Sequence, residues 1–247
     1  MTVELGELTD DLLTREVRVW QRARGHRFSV DDMVTAYVAA EAVPGAKRLL
    51  DLGCGLGSVL LHLAWSMPEA VLVGVEAQAM SFELLTRNVA RNNFGHRVSV
   101  HHGDLRDPSI VSALGRDFDL ITGTPPYFPP GTAVDAEDEQ RAYARVEYRG
   151  GVEDYIRTGA ALLAPEGRFI LCGDSDAQTR VEEACRAEGL FLHRTLRVLP
   201  RTERPALFSI WTLGREQQAQ ITQEMLMRDA SGEKTPAALR VKAFSGF

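Results

Sequence analysis

The sequence predicts an α/β fold in which a mostly parallel sheet is covered by helices on both faces. Strand and helix patterns alternate from Arg48 to about Gly173, an order typical of parallel sheets. A glycine-rich loop follows the first strand of this run, and the next strands end in polar residues or prolines. With 247 residues, the chain is long enough for one large domain with modest appendages.

The first strand of the run carries the strongest local signal. An apolar stretch containing Asp51 leads into the Gly-x-Gly-x-Gly loop Gly53–Gly57, and a helical apolar pattern then covers Ser58–Trp65. Glycines let the backbone turn sharply and approach a ligand closely. This loop favours a nucleotide-like ligand, although a plain tight turn between strand and helix gives the same pattern.

Three further strands support the ligand interpretation. Ala70–Val75 ends at Glu76, about twenty residues after the loop, where a carboxylate suits the two hydroxyls of a ribose. The next strand leads to Gly103–Leu105, and a fourth runs into Thr124–Tyr127, which reads Thr-Pro-Pro-Tyr. Because the carboxyl ends of parallel strands meet at one edge of a sheet, we expect a single site there.

The remaining pattern divides the chain into three parts. Residues 1–46 are predicted to be an N-terminal helical and lid segment, residues 47–213 the main domain, and residues 214–247 a C-terminal tail packed on the core. Further helices are predicted at Gln78–Asn92, Val152–Leu163 and near 177–187. Further strands are predicted at Arg168–Cys172, near 190–198 and at Leu207–Leu213, the last two antiparallel.

Composition excludes several classes of protein. The chain has no run of about 18 apolar residues and no signal-like N-terminus, so we expect no membrane association. The three cysteines lack Cys-x-x-Cys spacing and the histidines lack ligand spacing, so no disulfide framework or metal site is predicted and a cytoplasmic location fits. A net charge of −6 argues against a protein that coats nucleic acid non-specifically.

Taken in order, the segment Asp51–Gly57, Glu76, Asp104 and Thr124–Tyr127 resemble the motifs of the class I S-adenosylmethionine-dependent methyltransferases. The resemblance implies a Rossmann-like seven-stranded methyltransferase sheet, mostly parallel with an antiparallel C-terminal strand. It also implies S-adenosylmethionine as the cofactor. The cofactor-binding residues are then expected to be Asp51, Gly53, Gly55, Glu76, Ala77, Asp104 and Leu105, and the catalytic residues Thr124, Pro125, Pro126 and Tyr127.

A narrower resemblance rests on three short segments, Gly25–Asp31, Pro125–Phe128 and Asp229–Gly232. They are similar to segments of the bacterial tRNA(Val) adenine-N6 methyltransferases, which implies tRNA or another RNA as the partner. The sequence departs from the family at Thr124, where an Asn is usual. Asn offers an acceptor and a donor, whereas Thr offers one hydroxyl that reaches less far.

The Thr-Pro-Pro-Tyr segment has residues suited to methyl transfer onto nitrogen. The Thr124 hydroxyl and the Pro125 carbonyl can accept the hydrogens of an aryl amine, which favours the geometry that points its lone pair at the methyl group. Consecutive prolines stiffen the turn, and Tyr127 can stack on a flat target. No deprotonating base is required before attack. A rigid surface turn with a buried tyrosine is the structural alternative.

Positive charge suggests where RNA phosphates bind. One arginine cluster spans Arg15 to Arg27, and a second comprises Arg194, Arg197, Arg201 and Arg204. Solvated charged faces explain these clusters equally well. Arg141, Arg145 and Arg149 recur at helical spacing after a run of acids, and we interpret them as paired surface charges.

Three functions fit these observations. The first is an S-adenosylmethionine-dependent methyltransferase acting on adenine N6 of tRNA. The second is a protein glutamine or small-molecule N-methyltransferase with the same core, and the third a binding protein that keeps the cofactor fold without catalysis. The Pro-Pro-Tyr turn argues against the third. No oligomeric state is predicted.

Overall fold

A computed structural model describes residues 3–132 and 138–247 of the chain. The strands are β1 (Leu8–Leu12), β2 (Arg18–Arg22), β3 (Arg48–Leu52), β4 (Val71–Glu76), β5 (Val98–His102), β6 (Phe118–Gly123), β7 (Leu163–Gly173), β8 (Phe191–Leu199), β9 (Phe208–Gly214) and β10 (Ile221–Leu226). The helices are α1 (Val30–Ala42), α2 (Ser58–Ser66), α3 (Ala79–Arg91), α4 (Pro108–Leu114), α5 (Glu139–Arg145), α6 (Val152–Leu162), α7 (Gln178–Ala187) and α8 (Pro236–Phe244).

Within the described residues, eight strands form the central sheet in the order β10-β8-β9-β7-β6-β3-β4-β5. The run from β7 to β5 is parallel, and β9 is antiparallel to both of its neighbours, β7 and β8. The predicted α/β fold with a mostly parallel sheet is confirmed. The predicted count of seven strands is one short, because β10 from the tail pairs with β8 at the sheet edge.

Both faces of the central sheet are buried. Along β7, Phe169 and Leu171 point into one apolar layer with α6 and α7, whereas Ile170 and Cys172 point into a second layer with α1 and α2. All four side chains have 0% exposure. A strand covered on both faces reads as a continuous apolar run, which explains why the alternation of strands and helices was visible in the sequence.

Residues 1–46, predicted to be a helical and lid segment, contain two strands before the helix α1. The segment from Leu8 to Arg22 forms an antiparallel hairpin of β1 and β2, and α1 supplies the helical part. Apolar residues of this segment match helical spacing, but the burial of β2 alternates with period two, as a strand requires. The Val17 carbonyl accepts from the amides of Leu13 and Thr14, which closes the turn.

Two asparagines of α3 attach the hairpin to the main domain. The side-chain oxygen of Asn88 accepts from the backbone amide of Trp20 at 2.7 Å, and its side-chain nitrogen donates to the backbone carbonyl of Trp20 at 3.0 Å. Asn92 makes the same pair of bonds with the backbone of Arg18, at 3.1 and 2.8 Å. These side chains satisfy backbone groups of β2 in place of a further strand.

The C-terminal tail lies against both the sheet and the N-terminal helices. After β10, α8 packs on α1 and α2, where the Phe244 ring stacks on His62 with centroids 4.9 Å apart. Tyr37 meets the same ring edge-on at 5.6 Å. In the part of the chain that the structure describes, no helix combines the length and apolar character needed to cross a membrane.

Candidate active site

The carboxyl ends of β3, β4, β5 and β6 meet around one cavity. In-register pairing aligns Asp51 with Gly74 on one side and Thr122 on the other, so the residues that follow each strand lie side by side. The cavity is lined by predicted residues from all four strand ends, namely Asp51, Gly53, Gly55, Glu76, Ala77, Asp104, Leu105, Thr124 and Pro126. Further lining residues come from α1, α5, α6 and the segment between the last two.

The glycine loop has a backbone that requires glycine. Gly53, Gly55 and Gly57 all have φ in the left-handed region, at +62°, +55° and +97°. A Cβ atom on Gly53 would lie 2.0 Å from the hydroxyl oxygen of Tyr155. The absence of a side chain at Gly53 therefore creates the space in which α6 meets the loop.

Glu76 is fixed by the backbone on both of its oxygens. Its Oε2 accepts from the Gly55 amide at 2.8 Å and its Oε1 from the Gln78 amide at 2.6 Å. Burial raises the pKa of Glu76, and these amides and the charge of Arg149 act in the opposite direction. Each carboxylate oxygen has a second lone pair, so the two backbone bonds leave acceptor capacity toward the cavity.

Asp51, which lines the cavity, has one buried oxygen without a hydrogen-bond partner in the part of the chain that the structure describes. The side chain is 2% exposed, and its Oδ1 accepts from the Thr122 hydroxyl at 2.7 Å. Its Oδ2 is buried without a hydrogen-bond partner among the described residues. Burial raises the pKa of Asp51 to about 7. A buried carboxylate with one free oxygen is a receptor for a cation or a hydrogen-bond donor.

A second acid, the half-buried Asp32 of α1, lines the same cavity. Asp32 accepts from the Ser29 amide at 2.8 Å in the capping box that begins the helix. Burial, followed by the neighbouring charge of Asp31, raises the pKa of Asp32 to about 7. Together with Asp51, this residue makes the inner wall of the cavity strongly favourable for positive charge.

Asp104 is held by a partner that sequence reasoning missed. Arg106 donates to its two oxygens at 2.9 and 2.7 Å, and the Arg106 amide donates to Oδ1 at 2.9 Å. These bonds lower the pKa of Asp104, so the group is a fixed, ionised acceptor. The neighbouring Leu105 is buried, and its carbonyl accepts from Thr158 of α6 at 3.0 Å.

The Thr-Pro-Pro-Tyr turn forms the rim of the cavity on the β6 side. Thr124 and Pro126 line the cavity, and Pro125 is buried between them. Tyr127 is directed toward α1, where its hydroxyl donates to Asp31 at 2.9 Å and lies 3.3 Å from the sulfur of Cys172. The turn is thereby tied to α1, and the stacking role expected of Tyr127 stays a prediction.

Tyr155 is a cavity residue that the sequence did not reveal. It lies on the buried face of α6 and is 6% exposed, between the Gly53 loop and Gly123 at the end of β6. Burial and the surrounding carboxylates, Glu76 first among them, raise the pKa of Tyr155 well above 10. In the sequence, the spacing of Tyr155 with Val152 and Ile156 indicates a core position. Its place in the cavity follows from the packing of α6 on the sheet, which the sequence alone does not give.

Comparisons with known proteins support one class of enzyme. Residues 29–145, which include all four strand ends, match the family model of the methyltransferase small domain. A protein of Porphyromonas gingivalis named tRNA1(Val) (adenine(37)-N6)-methyltransferase is 28% identical over 94% of this chain and 93% of its own length. A protein of the same name from Yersinia pseudotuberculosis is 26% identical over 77% of this chain and 75% of its own.

Solved structures agree on the fold. A predicted O-methyltransferase of Agrobacterium tumefaciens superposes with a TM-score of 0.67 at 20% identity, covering 87% of this chain and 97% of that protein. Pyrococcus horikoshii TYW2, in complex with MeSAdo, has a TM-score of 0.57 at 14% identity, with 85% and 72% covered. The family model, the two relatives and this fold together make the chain a methyltransferase enzyme, as the motifs predicted.

Proposed function

We propose that this methyltransferase transfers a methyl group from S-adenosylmethionine to the exocyclic N6 of an adenine in tRNA. One observation carries the proposal. The glycine loop with its acids lines the same cavity as Thr124 and Pro126 of the turn, so a cofactor and a nitrogen acceptor bound there would adjoin. The names of the two relatives support tRNA as the substrate and adenine N6 as the acceptor.

The lining residues fit the chemical groups of the cofactor. S-adenosylmethionine, when bound, supplies a methyl group activated by a positively charged sulfonium. The free Oδ2 of Asp51 suits the amino group of its methionine part, because a buried unpaired acceptor is stabilised by a cationic donor. Glu76 would hold the ribose hydroxyls, and Asp104 with the Leu105 amide would hold the adenine. Gly53, Gly55 and Ala77 let the backbone approach closely.

On the acceptor side, Thr124 and Pro125 would orient the target amine. The Thr124 hydroxyl and the Pro125 carbonyl accept its two hydrogens, which keeps the nitrogen lone pair directed into the cavity. The proline pair fixes φ near −65° and holds both acceptors in place. An amine held in this way would take the methyl carbon as a neutral group while the carbon–sulfur bond of the sulfonium breaks and leaves a thioether, and its extra proton would then leave to solvent. Pro126 closes the rim of the cavity.

A transfer assay with three acceptor classes tests the proposal. The protein would be incubated with methyl-labelled S-adenosylmethionine and either unmodified tRNA, glutamine-containing peptides or small amides. We expect label in tRNA at least about tenfold above the other two, and loss of most of it in Thr124→Val. Label found in peptide or small amide, with none in tRNA, would replace this proposal by the protein or small-molecule function.

A further inference from the structure

The segment that follows the cavity rim carries arginines and tyrosines on one surface. We call Arg141, Tyr143, Arg145, Tyr148 and Arg149 the 141–149 strip. Tyr143 and Arg149 line the cavity, whereas Arg141, Arg145 and Tyr148 are exposed beside it. We propose that the strip binds the RNA strand flanking the target base, its arginines contacting phosphates and Tyr148 stacking on a neighbouring base. This inference rests on the proposed function.

The strip is held in place by its own aromatic contacts. The Arg149 guanidinium lies 4.6 Å from the centroid of the Tyr143 ring, and the rings of Tyr143 and Tyr148 meet edge-on at 5.4 Å. The Arg145 guanidinium lies 5.5 Å from the centroid of Phe128. Side chains that are already ordered lose less conformational entropy when a ligand binds, so this surface is prepared for a flat, charged partner.

Backbone hydrogen bonds connect the strip to the catalytic turn. The Phe128 amide donates to the Arg145 carbonyl at 3.0 Å, and the Glu147 amide donates to the Phe128 carbonyl at 2.9 Å. Phe128 directly follows the Thr-Pro-Pro-Tyr turn. A nucleic-acid strand bound along the strip would therefore be placed in a fixed relation to Thr124 and Pro125.

Most of the described acids near the strip pair with arginines outside it. Glu147 and Glu153 both bind Arg180, at 2.9 and 2.7 Å, and Asp138 binds Arg22 at 2.7 Å. Of the described acids within the segment, Glu139 remains beside the arginines at the start of α5. The run of acids that suggested paired charges extends into residues 133–137, which lie outside the described residues.

The two arginine clusters proposed from the sequence differ from the strip in their ion pairs or in their position. In the N-terminal cluster, four of the five arginines are ion-paired: Arg15 with Glu16, Arg18 with Asp10, Arg22 with Asp138 and Arg27 with Asp11. In the C-terminal cluster, Arg197 pairs with Glu224, whereas Arg194, Arg201 and Arg204 have no ion pair among the described residues. This cluster differs from the strip in its position, because none of its arginines lines the cavity. Among the described residues, Arg141, Arg145 and Arg149 form no such ion pair. The charge of Arg149 nevertheless acts on Glu76 and Asp104, so Arg141 and Arg145 are the strip arginines that face away from the cavity acids. The strip also adjoins the cavity, and its tyrosines offer the stacking surfaces that single-stranded RNA uses.

A set of matched variants tests the strip. Arg141→Gln combined with Arg145→Gln removes two charges outside the cavity lining, and Tyr148→Leu removes the exposed aromatic face. Arg18→Gln combined with Arg197→Gln is the control, because it removes equal charge at ion-paired sites. The readouts are tRNA affinity at several salt concentrations, cofactor affinity by calorimetry, and melting temperature.

We expect the strip arginine pair to weaken tRNA binding at least about tenfold and to lower the salt slope by about 1.4, the value for two single-strand phosphates. Tyr148→Leu should weaken binding about tenfold with the salt slope retained, since stacking releases no counterions. Cofactor affinity and melting temperature should stay at wild-type values, and the control should bind tRNA nearly as wild type does. If the arginine pair fails to fold, Tyr148→Leu and its salt slope decide the matter.

Four outcomes overturn the inference. Wild-type affinity in the strip variants would exclude the strip, while methylation of tRNA by the wild-type protein would keep the proposed function. Equal losses in the strip and control pairs would indicate a general charge effect. Loss in the arginine pair with a silent Tyr148→Leu, together with methylation of a peptide, would indicate an acidic peptide as the partner. A wild-type protein that neither binds nor methylates RNA would remove the proposed function and the strip together.

Discussion

The two sides of the cavity are built in different ways. The glycine-loop side, comprising Asp51, Gly53–Gly55, Glu76 and Asp104, is formed at strand ends whose side chains are fixed by backbone or neighbouring groups. The turn side, comprising Thr124–Phe128 and the 141–149 strip, is a proline-rich turn joined to a short exposed helix. The enclosed glycine-loop side suits one unchanging cofactor. The more exposed turn side suits a large acceptor that must enter and leave.

This comparison predicts that changes on the two sides will separate cofactor binding from turnover. A change on the glycine-loop side should weaken cofactor binding first. A change on the turn side should slow methyl transfer while the cofactor still binds.

Gly53→Ala should have the largest effect. The new Cβ would lie 2.0 Å from the Tyr155 hydroxyl oxygen at a residue with φ of +62°, so the loop or the Tyr155 side chain must shift. We expect cofactor affinity to fall at least about 100-fold by calorimetry, with a lower melting temperature. Gly95→Ala is the control, because no atom lies within 4 Å of its Cβ position. Near wild-type cofactor affinity in Gly53→Ala would show that the loop does not hold the cofactor.

Thr124→Val tests the turn side. Valine keeps the shape of threonine and removes the hydroxyl proposed to accept from the target amine. Turnover should fall about 10- to 100-fold, as expected for one hydrogen bond in the transition state, with cofactor affinity unchanged. Thr222→Val on exposed β10 serves as the control. If Thr124→Val turns over normally, the Pro125 carbonyl suffices and the hydroxyl has no catalytic role.

Cofactor affinity should depend on pH through Asp51. Because burial raises the pKa of Asp51 to about 7, this acid is mostly protonated at pH 6 and mostly ionised at pH 8. Binding of a cationic group requires the ionised form, so cofactor affinity should rise about tenfold from pH 6 to pH 8. Calorimetry across this range measures it.

Asp51→Asn and Asp32→Asn separate the two acids that titrate there. Asp32 lines the same cavity, and burial with the charge of Asp31 also raises its pKa to about 7. We expect Asp51→Asn to bind more weakly and to lose most of the pH dependence, and Asp32→Asn to retain it. The reverse pattern would move the cationic contact to Asp32.

Tyr155→Phe should have the smallest effect. The ring that packs between Gly53 and Gly123 stays, and the hydroxyl directed at the loop is lost. If this hydroxyl donates to the bound cofactor, cofactor affinity should fall about threefold to tenfold, the cost of one hydrogen bond, with an unchanged melting temperature. Tyr37→Phe, whose hydroxyl bonds Glu41 away from the cavity, is the control. Equal affinities in the two variants would restrict Tyr155 to packing.

Sequence reasoning succeeded where a signal is local. The loop at Gly53–Gly57 and the acids Asp51, Glu76 and Asp104 each directly follow or end a strand, so their order along the chain already located the cavity. The paired Asn88 and Asn92 bonds that hold β2, the Arg106 contact with Asp104, and Tyr155 depend on distant parts of the chain or on side-chain geometry.

The same distinction explains the wrong predictions. Residues 8–22 have apolar spacing that fits a helix, and docking on α3 makes them a hairpin. In β10 the first four residues are exposed, so apolar and polar residues do not alternate along it. The sequence of the tail therefore did not indicate a strand. Positive charge in the N-terminal cluster was visible in the sequence, whereas its neutralisation by Asp10, Asp11 and Asp138 appears with the fold.

The central claim is that this cavity methylates the N6 of an adenine in RNA. Its most direct test is mass spectrometry of nucleosides from unmodified tRNA incubated with the protein and S-adenosylmethionine carrying a deuterated methyl group. We expect labelled N6-methyladenosine with the wild-type protein and none with Gly53→Ala. Label on another atom of the nucleosides, or no label in the RNA while protein or small amides are methylated, would contradict it.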